Sequence, residues 1–167
     1  MIWATREDVQ KEMDASSDRA CAIIGGSYVE SCLEVALRTH LLHDEVAFKD
    51  ALSRGPLSTF HGKIEVAYLS RLLSPEGRHD IHLVRKIRNH FAHNLEASDF
   101  ETDQMRDLTR NFKKATLNTE MLLALKRIRP IDYPDAVSSR DRFEGAVGEM
   151  AGWLRRRFFP EQITPLW

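Results

Sequence analysis

The sequence lacks the features that mark several common classes of protein. It holds 2 cysteines among 167 residues, with 8 glycines and 6 prolines, which excludes a disulfide-rich, a collagen-like and a low-complexity chain. Strand signals are almost absent, since no segment alternates apolar and polar residues between turn residues over the length of a strand. The length is that of one domain with one hydrophobic core.

Neither sign of charge is in excess, and long apolar runs are missing. The chain has 24 basic and 25 acidic side chains, whereas a domain that binds DNA by itself usually has a strong basic excess. No run approaches the roughly 18 apolar residues that cross a bilayer, and the first residues do not resemble a signal peptide. We therefore expect a cytoplasmic protein that binds neither a membrane nor a cofactor.

The two cysteines do not indicate a disulfide. Cys21 and Cys32 fall on one predicted helix, where eleven residues separate them by about 16 Å along the axis. A disulfide needs Cα atoms within about 7 Å of each other. We interpret both cysteines as small buried thiols.

Capping and helix-breaking residues divide the chain into six or seven predicted helices. They begin after Thr5 and then cover residues 17–42, 44–52, 59–74, 74–93, one or two segments of 99–125, and 139–159. Short loops join them, apart from a proline-containing loop near residues 128–137. The pattern predicts an all-α, single-domain irregular helical bundle over residues 1–167.

Two of these helices carry charges in the middle of their apolar faces. When the residues are wound at 100° each, Glu30 and Glu34 interrupt the stripe of helix 17–42, and Arg88 interrupts that of helix 74–93. A buried charge is costly unless it is paired and hydrogen-bonded. We therefore predict that the two helices face each other and that Glu30, Glu34 or both bind Arg88. The group is either a structural ion pair or the floor of a functional pocket.

Two adjacent glycines weaken the first of these helices. Gly25 and Gly26 together cost roughly 2 kcal/mol of helix propensity relative to alanine. We expect a helix crossing here that needs close approach of the backbones.

Three segments of the chain resemble the bacterial mannitol operon repressor family. They are SDRACAIIGGSYVESCLEVALRTHLL, GPLSTFHGKIEVAYLSRLL and IHLVRKIRNHFAHNLEASDF, in the order and spacing of that family, within residues 16–110. Lys63 stands where that family is expected to have arginine. The resemblance implies an all-helical transcriptional regulator of bacterial sugar operons that acts mainly through protein–protein contacts. We expect a protein partner, and a homodimer.

The segment RNHFAH also resembles the HEPN domains, whose ribonuclease members carry an arginine and a histidine with four to six residues between them. Arg88, Asn89 and His93 fit this pattern. The histidine would transfer a proton as the RNA 2′-hydroxyl attacks the neighbouring phosphate, while arginine and asparagine stabilise the charge. On a continuous helix, residues five apart point about 140° apart, so Arg88 and His93 would diverge. A metal-independent ribonuclease or toxin-like domain is the alternative function.

Short basic clusters are the candidates for contacts with nucleic acid or other anions. Arg155, Arg156 and Arg157 lie between aromatic residues in WLRRRFF, which favours a helix whose apolar side docks while the arginines face water. Lys113 and Lys114 form a second cluster, and 126–129 a third. Because no helix-turn-helix or zinc-finger spacing is present, we do not expect direct DNA binding. The histidines of residues 79–93 show no metal-binding motif, and we expect no metal site.

Overall fold

A computed structural model describes residues 5–41, 44–94, 99–113 and 137–158. These residues form seven α-helices and no strand, which confirms the predicted all-α bundle. The helices are α1 (Arg6–Asp14), α2 (Asp18–His40), α3 (Glu45–Ser53), α4 (Phe60–Leu69), α5 (Pro75–His93), α6 (Asp103–Arg110) and α7 (Ser139–Phe158). The predicted helical residues 114–125, the loop at 128–136 and residue 159 lie outside the described ranges.

Hydroxyl and carboxyl side chains cap the first six helices, and all but the sixth begin near the predicted residue, since α6 begins at Asp103 rather than at residue 99. The side chain of Thr5 accepts a hydrogen bond from the N–H of Asp8, whose carboxylate accepts from Thr5 in turn, so that α1 has a complete capping box. The other five caps each accept from one or two N–H groups of the first turn. These capping residues are Ser17, Asp44, Thr59, Ser74 and Thr102.

Helix α4 ends five residues earlier than its pattern predicts. Its last helical residue is Leu69 rather than Ser74, because Arg71 adopts a left-handed conformation with φ of 59°. The N–H of Leu72 then donates to the carbonyl of Ala67 at 2.9 Å, which closes the helix. The turn brings Leu72 and Leu73 into the core.

Helix α2 lies at the centre of the bundle and packs against α1, α4, α5 and α7. Three fully buried phenylalanines fill the core beside it. The ring of Phe100 lies 4.9 Å from that of Phe91 on α5 and 5.3 Å from that of Phe143 on α7. These contacts join the region after α5 to the last helix.

Among the described residues, α2 is also the one helix that is long and apolar enough to cross a membrane. This finding corrects the expectation that no segment is long and apolar enough to do so. Half of its most apolar window is buried within the bundle. It also carries Glu30 and Glu34. A core helix and a signal sequence both pass the same test of length and composition, so this helix alone is weak evidence for a membrane span.

The two glycines of α2 lie where other helices cross it closely. A Cβ atom on Gly25 would lie 2.9 Å from the ring of Phe143 on α7. A Cβ atom on Gly26 would lie 2.7 Å from Cβ and 2.6 Å from Cγ of Arg88 on α5. The missing side chains therefore allow α5 and α7 to approach α2, which compensates for the lower helix propensity.

Replacing Gly26 with alanine is expected to lower the free energy of unfolding by about 1–3 kcal/mol, because α5 must move away from the new methyl group. The atoms of Arg88 that it meets are close to the backbone and cannot swing aside. Urea unfolding followed by circular dichroism measures the change. The neighbouring variant Ser27→Ala serves as control and should stay within about 0.5 kcal/mol of the wild type. Equal stability of the two variants would contradict the close crossing.

Candidate functional site

Two acidic residues of α2 form ion pairs with a single lysine from α4. Nζ of Lys63 lies 2.9 Å from Oε1 of Glu30 and 3.0 Å from Oε2 of Glu34, so one ammonium group bridges two carboxylates. Burial by itself would lower the pKa of Lys63, but the hydrogen bonds to both carboxylates outweigh it and raise the pKa above its ordinary value. Lys63 is therefore charged at neutral pH.

The structure differs here from the predicted pairing with Arg88. Its guanidinium Nη1 donates to Oδ1 of Asn89 at 3.0 Å, and no ion pair joins it to Glu30 or Glu34 within the described residues. Helices α2 and α5 do pack together, as expected. The physical reason for the different partner is that Lys63 already occupies both carboxylates, while the stem of Arg88 fills the notch over Gly26.

A helical wheel of α4 would have indicated Lys63. Phe60, Ile64 and Ala67 form a buried stripe on this helix, and Lys63 lies on the same stripe. This is the same kind of interruption that identifies Glu30 and Glu34.

The RNHFAH segment lies within the last turns of α5. The helix continues to His93, so the Cα–Cβ directions of Arg88 and His93 differ by about 140° around its axis. His93 is exposed, and Asn89 is half-buried on the same side of the helix. One subunit therefore does not place Arg88 and His93 on a common helix face, and a catalytic role for these residues stays a prediction.

Two arginines form hydrogen bonds between the ends of different helices. The sequence patterns did not indicate either of them. Arg140 on α7 lies 2.9 Å from Asp18 and 2.8 Å from Glu144. It also donates to the backbone carbonyls of Met13, in the last turn of α1, and of Ser16, just after that helix. Arg19 donates to two carbonyl oxygens at the end of α5, at 2.6 and 2.5 Å. The spacing of Arg140 and Glu144 by four residues is the one sequence signal for this network.

A second polar group, which we call the His61 cluster, consists of His61, Glu65, Arg78 and His82. Arg78 donates from Nε to Oε1 of Glu65 at 3.1 Å and from Nη2 to Oε2 at 2.8 Å. Nε2 of His82 lies 2.7 Å from Oε1 of the same carboxylate, and the rings of His61 and His82 are 5.3 Å apart. The cluster joins α4 to α5 at the surface.

The charges of the His61 cluster follow from these contacts. The hydrogen bond from Arg78, with help from His82, lowers the pKa of Glu65 to about 2. Burial lowers the pKa of His82 below its ordinary value, although the bond to Glu65 opposes this. At neutral pH the cluster therefore holds a carboxylate, a guanidinium and a neutral imidazole at position 82.

The arginines in the last turn of α7 lie mostly on its outer side. Arg156 and Arg157 are exposed, while Leu154 beside them is fully buried. Arg155 donates to the hydroxyl of Tyr28 at 3.2 Å. The arrangement agrees with a helix that docks through its apolar side.

The other basic candidates give less information. Lys113 is exposed, and its N–H donates to a carboxylate oxygen of Asp80 at 2.9 Å. Lys114 and the cluster at 126–129 lie outside the described residues.

Both cysteines are buried free thiols on α2. Burial raises the pKa of Cys21 to about 12 and that of Cys32 to about 11. We expect the folded protein to react with a thiol reagent at pH 8 at least about 100-fold more slowly than the protein unfolded in urea, because the thiolate is the reactive form. The rate of colour release from a chromogenic disulfide tests this, and equal rates in both states would contradict it.

Solved structures of regulator-like bacterial proteins share this fold, although no protein-family model and no curated protein matches the sequence. The chain is similar to a possible transcriptional regulator, YggD, from Shigella flexneri, with a TM-score of 0.67 and 18% identity, over 95% of this chain and 99% of that one. It is also similar to MtlR from Escherichia coli, solved in complex with HPr, with a TM-score of 0.64 and 13% identity, over 89% of this chain and 97% of that one. At these identities the likeness establishes the fold.

Proposed function

We propose that the chain is a regulator of bacterial transcription, of the mannitol operon repressor type, that acts in the cytoplasm through contacts with other proteins. The observation that carries this proposal is the likeness in fold, over nearly the whole chain, to the structures of a possible transcriptional regulator and of MtlR. MtlR is held in a complex with a protein, HPr. The near balance of charge supports protein contacts rather than a DNA surface.

The partner proposed for this chain is the HPr of the organism that encodes it. Isothermal titration of the purified chain with that HPr is expected to give saturable binding. Light scattering after gel filtration should give the mass of the complex for the mixture. For the chain alone it should give the mass of a homodimer. If no heat of binding is detected at either of two temperatures, although both proteins are folded, the proposed partner is contradicted.

A matched pair of surface variants tests where the partner binds. Among the described residues, Leu69 and Val46 are large apolar side chains left 77% and 73% exposed. Leu69 lies in a segment that resembles the repressor family, whereas Val46 does not. We therefore expect Leu69→Asp to weaken binding by about tenfold or more and Val46→Asp to leave it unchanged. Equal effects of the two variants would contradict this location.

Two further experiments can overturn the preferred function. Cleavage of mixed RNA in EDTA that disappears in His93→Ala would instead support the ribonuclease. Retardation of operator DNA that weakens with salt, and is lost when Arg155, Arg156 and Arg157 are neutralised, would instead support direct DNA binding. We expect neither result.

A further inference from the structure

Three side chains of the His61 cluster have the chemistry and spacing of metal ligands. His61 and Glu65 are one turn apart on α4, and His82 approaches them from α5. One ligand atom from each residue lies within 4.8 Å of the other two. We propose that His61, Glu65 and His82 bind a zinc ion, with a fourth position open to water or to an external ligand.

Two imidazoles and one carboxylate are a common ligand set for an open zinc site, whereas magnesium and calcium prefer oxygen ligands alone. Nε2 of His82 and Oε1 of Glu65 are 2.7 Å apart, and since the carboxylate can only accept, the neutral imidazole donates this hydrogen bond. A zinc ion about 2.0–2.2 Å from each atom requires a separation of about 3.3 Å at a tetrahedral angle. The two side chains must therefore separate by only about 0.6 Å, and the neutral His82 binds the metal through Nε2 as the tautomer that carries its proton on Nδ1.

The other members of the cluster suit this arrangement. His61 is exposed, so its ring can turn toward the ion without disturbing the core. Arg78 holds Oε2 of Glu65 through Nη2, and this bond can persist while Oε1 binds the metal. Arg78 would then act as a positioning residue that orients the carboxylate. The metal displaces two hydrogen bonds to Oε1, one from Nε of Arg78 and one from Nε2 of His82.

The sequence contains a weak signal for this site in the spacing of His61 and Glu65. A histidine and a glutamate four residues apart share a helix face and can bind one ion. The third ligand lies 17 residues further along the chain, on another helix. It can be found only from the way α4 packs against α5.

Isothermal titration of the metal-free, full-length chain with zinc chloride tests the proposal, and the absorption spectrum of the cobalt-loaded chain reports the geometry. The wild type is expected to bind one zinc ion and to show the intense visible bands of tetrahedral cobalt. His61→Ala should weaken zinc binding by about tenfold or more and remove these bands. Because His61 is exposed, this variant should remain folded. His82→Ala should have the same effect.

The matched control is His40→Ala, which removes another exposed histidine near the end of a helix. It should bind zinc as the wild type does. Absence of zinc binding in the wild type, or equal binding by the His61→Ala and wild-type chains, would overturn the proposal. The result does not depend on the proposed regulatory function, since neither the zinc titration nor the cobalt spectrum involves HPr.

Discussion

Lys63→Met is expected to lower the free energy of unfolding by about 2–4 kcal/mol at pH 7. The variant leaves the carboxylates of Glu30 and Glu34 one turn apart on α2, without the ammonium group that bridges them. Removing one partner of a fully buried ion pair costs about 3–5 kcal/mol. The expected loss is smaller because the two glutamate side chains keep 21% and 31% of their exposure to water. Urea unfolding followed by circular dichroism measures the difference.

The matched control for this prediction is a basic residue in an exposed pair. Arg54 lies 3.8 Å from Asp50, and its side chain is 86% exposed, so Arg54→Met should cost less than about 1 kcal/mol. Equal losses for the two variants would show that burial of Lys63 does not matter.

Because its pKa is raised, Lys63 contributes fully to the free energy of unfolding below the ordinary lysine pKa of 10.5. This contribution is lost as the pH rises through the higher pKa of the folded state.

A rescue separates the charge from the shape of the side chain. Adding Glu30→Gln and Glu34→Gln to Lys63→Met removes all charge from the group. The triple variant is expected to regain most of the lost stability, because no uncompensated carboxylate remains. If it is as unstable as Lys63→Met, the packing of the lysine stem carries the effect instead.

Local signals in the sequence were sufficient to predict where several of the helices begin. The hydroxyl caps at Ser17, Thr59 and Ser74 begin helices as predicted, because the cap bonds form between residues three apart. The end of α4 was not predictable in this way. Glycine is the usual residue at a left-handed helix end, but position 71 is an arginine, so the sequence gives no signal there. The turn at Arg71 accompanies burial of the two leucines that follow it.

The pairing of charges could be predicted only in part. Winding α2 identifies Glu30 and Glu34 as acids in need of a base, and such a base is present. Which base reaches them depends on how α4 and α5 both lie against α2, and the contact of Gly26 with Arg88 accounts for the position of α5 alone. Sequence spacing within one helix contains no information on such packing between three helices.

Helix α4 separates the two polar groups of this region. Lys63 points into the bundle, whereas His61 and Glu65 belong to the surface cluster. Residues two apart on a helix point about 160° apart, so the two groups occupy opposite sides. Variants of His61 should therefore alter metal binding at nearly constant stability, and variants of Lys63 should do the reverse.

The largest loss from a single added methyl group is expected for Gly62→Ala. A Cβ atom at this position would lie 1.8 Å from the carbonyl oxygen of Pro56, a backbone atom that cannot turn away. The N–H of Gly62 also donates to the capping hydroxyl of Thr59 at 3.0 Å, and movement of the loop would break this cap. We expect the free energy of unfolding to fall by about 3 kcal/mol or more, as overpacking and cap loss add.

Gly77 is a matched control, because it holds the same position in the first turn of α5. Its N–H donates to the capping hydroxyl of Ser74 at 3.1 Å, but a Cβ atom there would meet its nearest neighbours only at 3.6–4.0 Å. Gly77→Ala should therefore gain about 0.5–1 kcal/mol from helix propensity. The two variants share one chemical change and one helix position, so opposite signs in urea unfolding would isolate the close contact with Pro56. A loss of similar size in both would instead assign the effect to the capped turn itself.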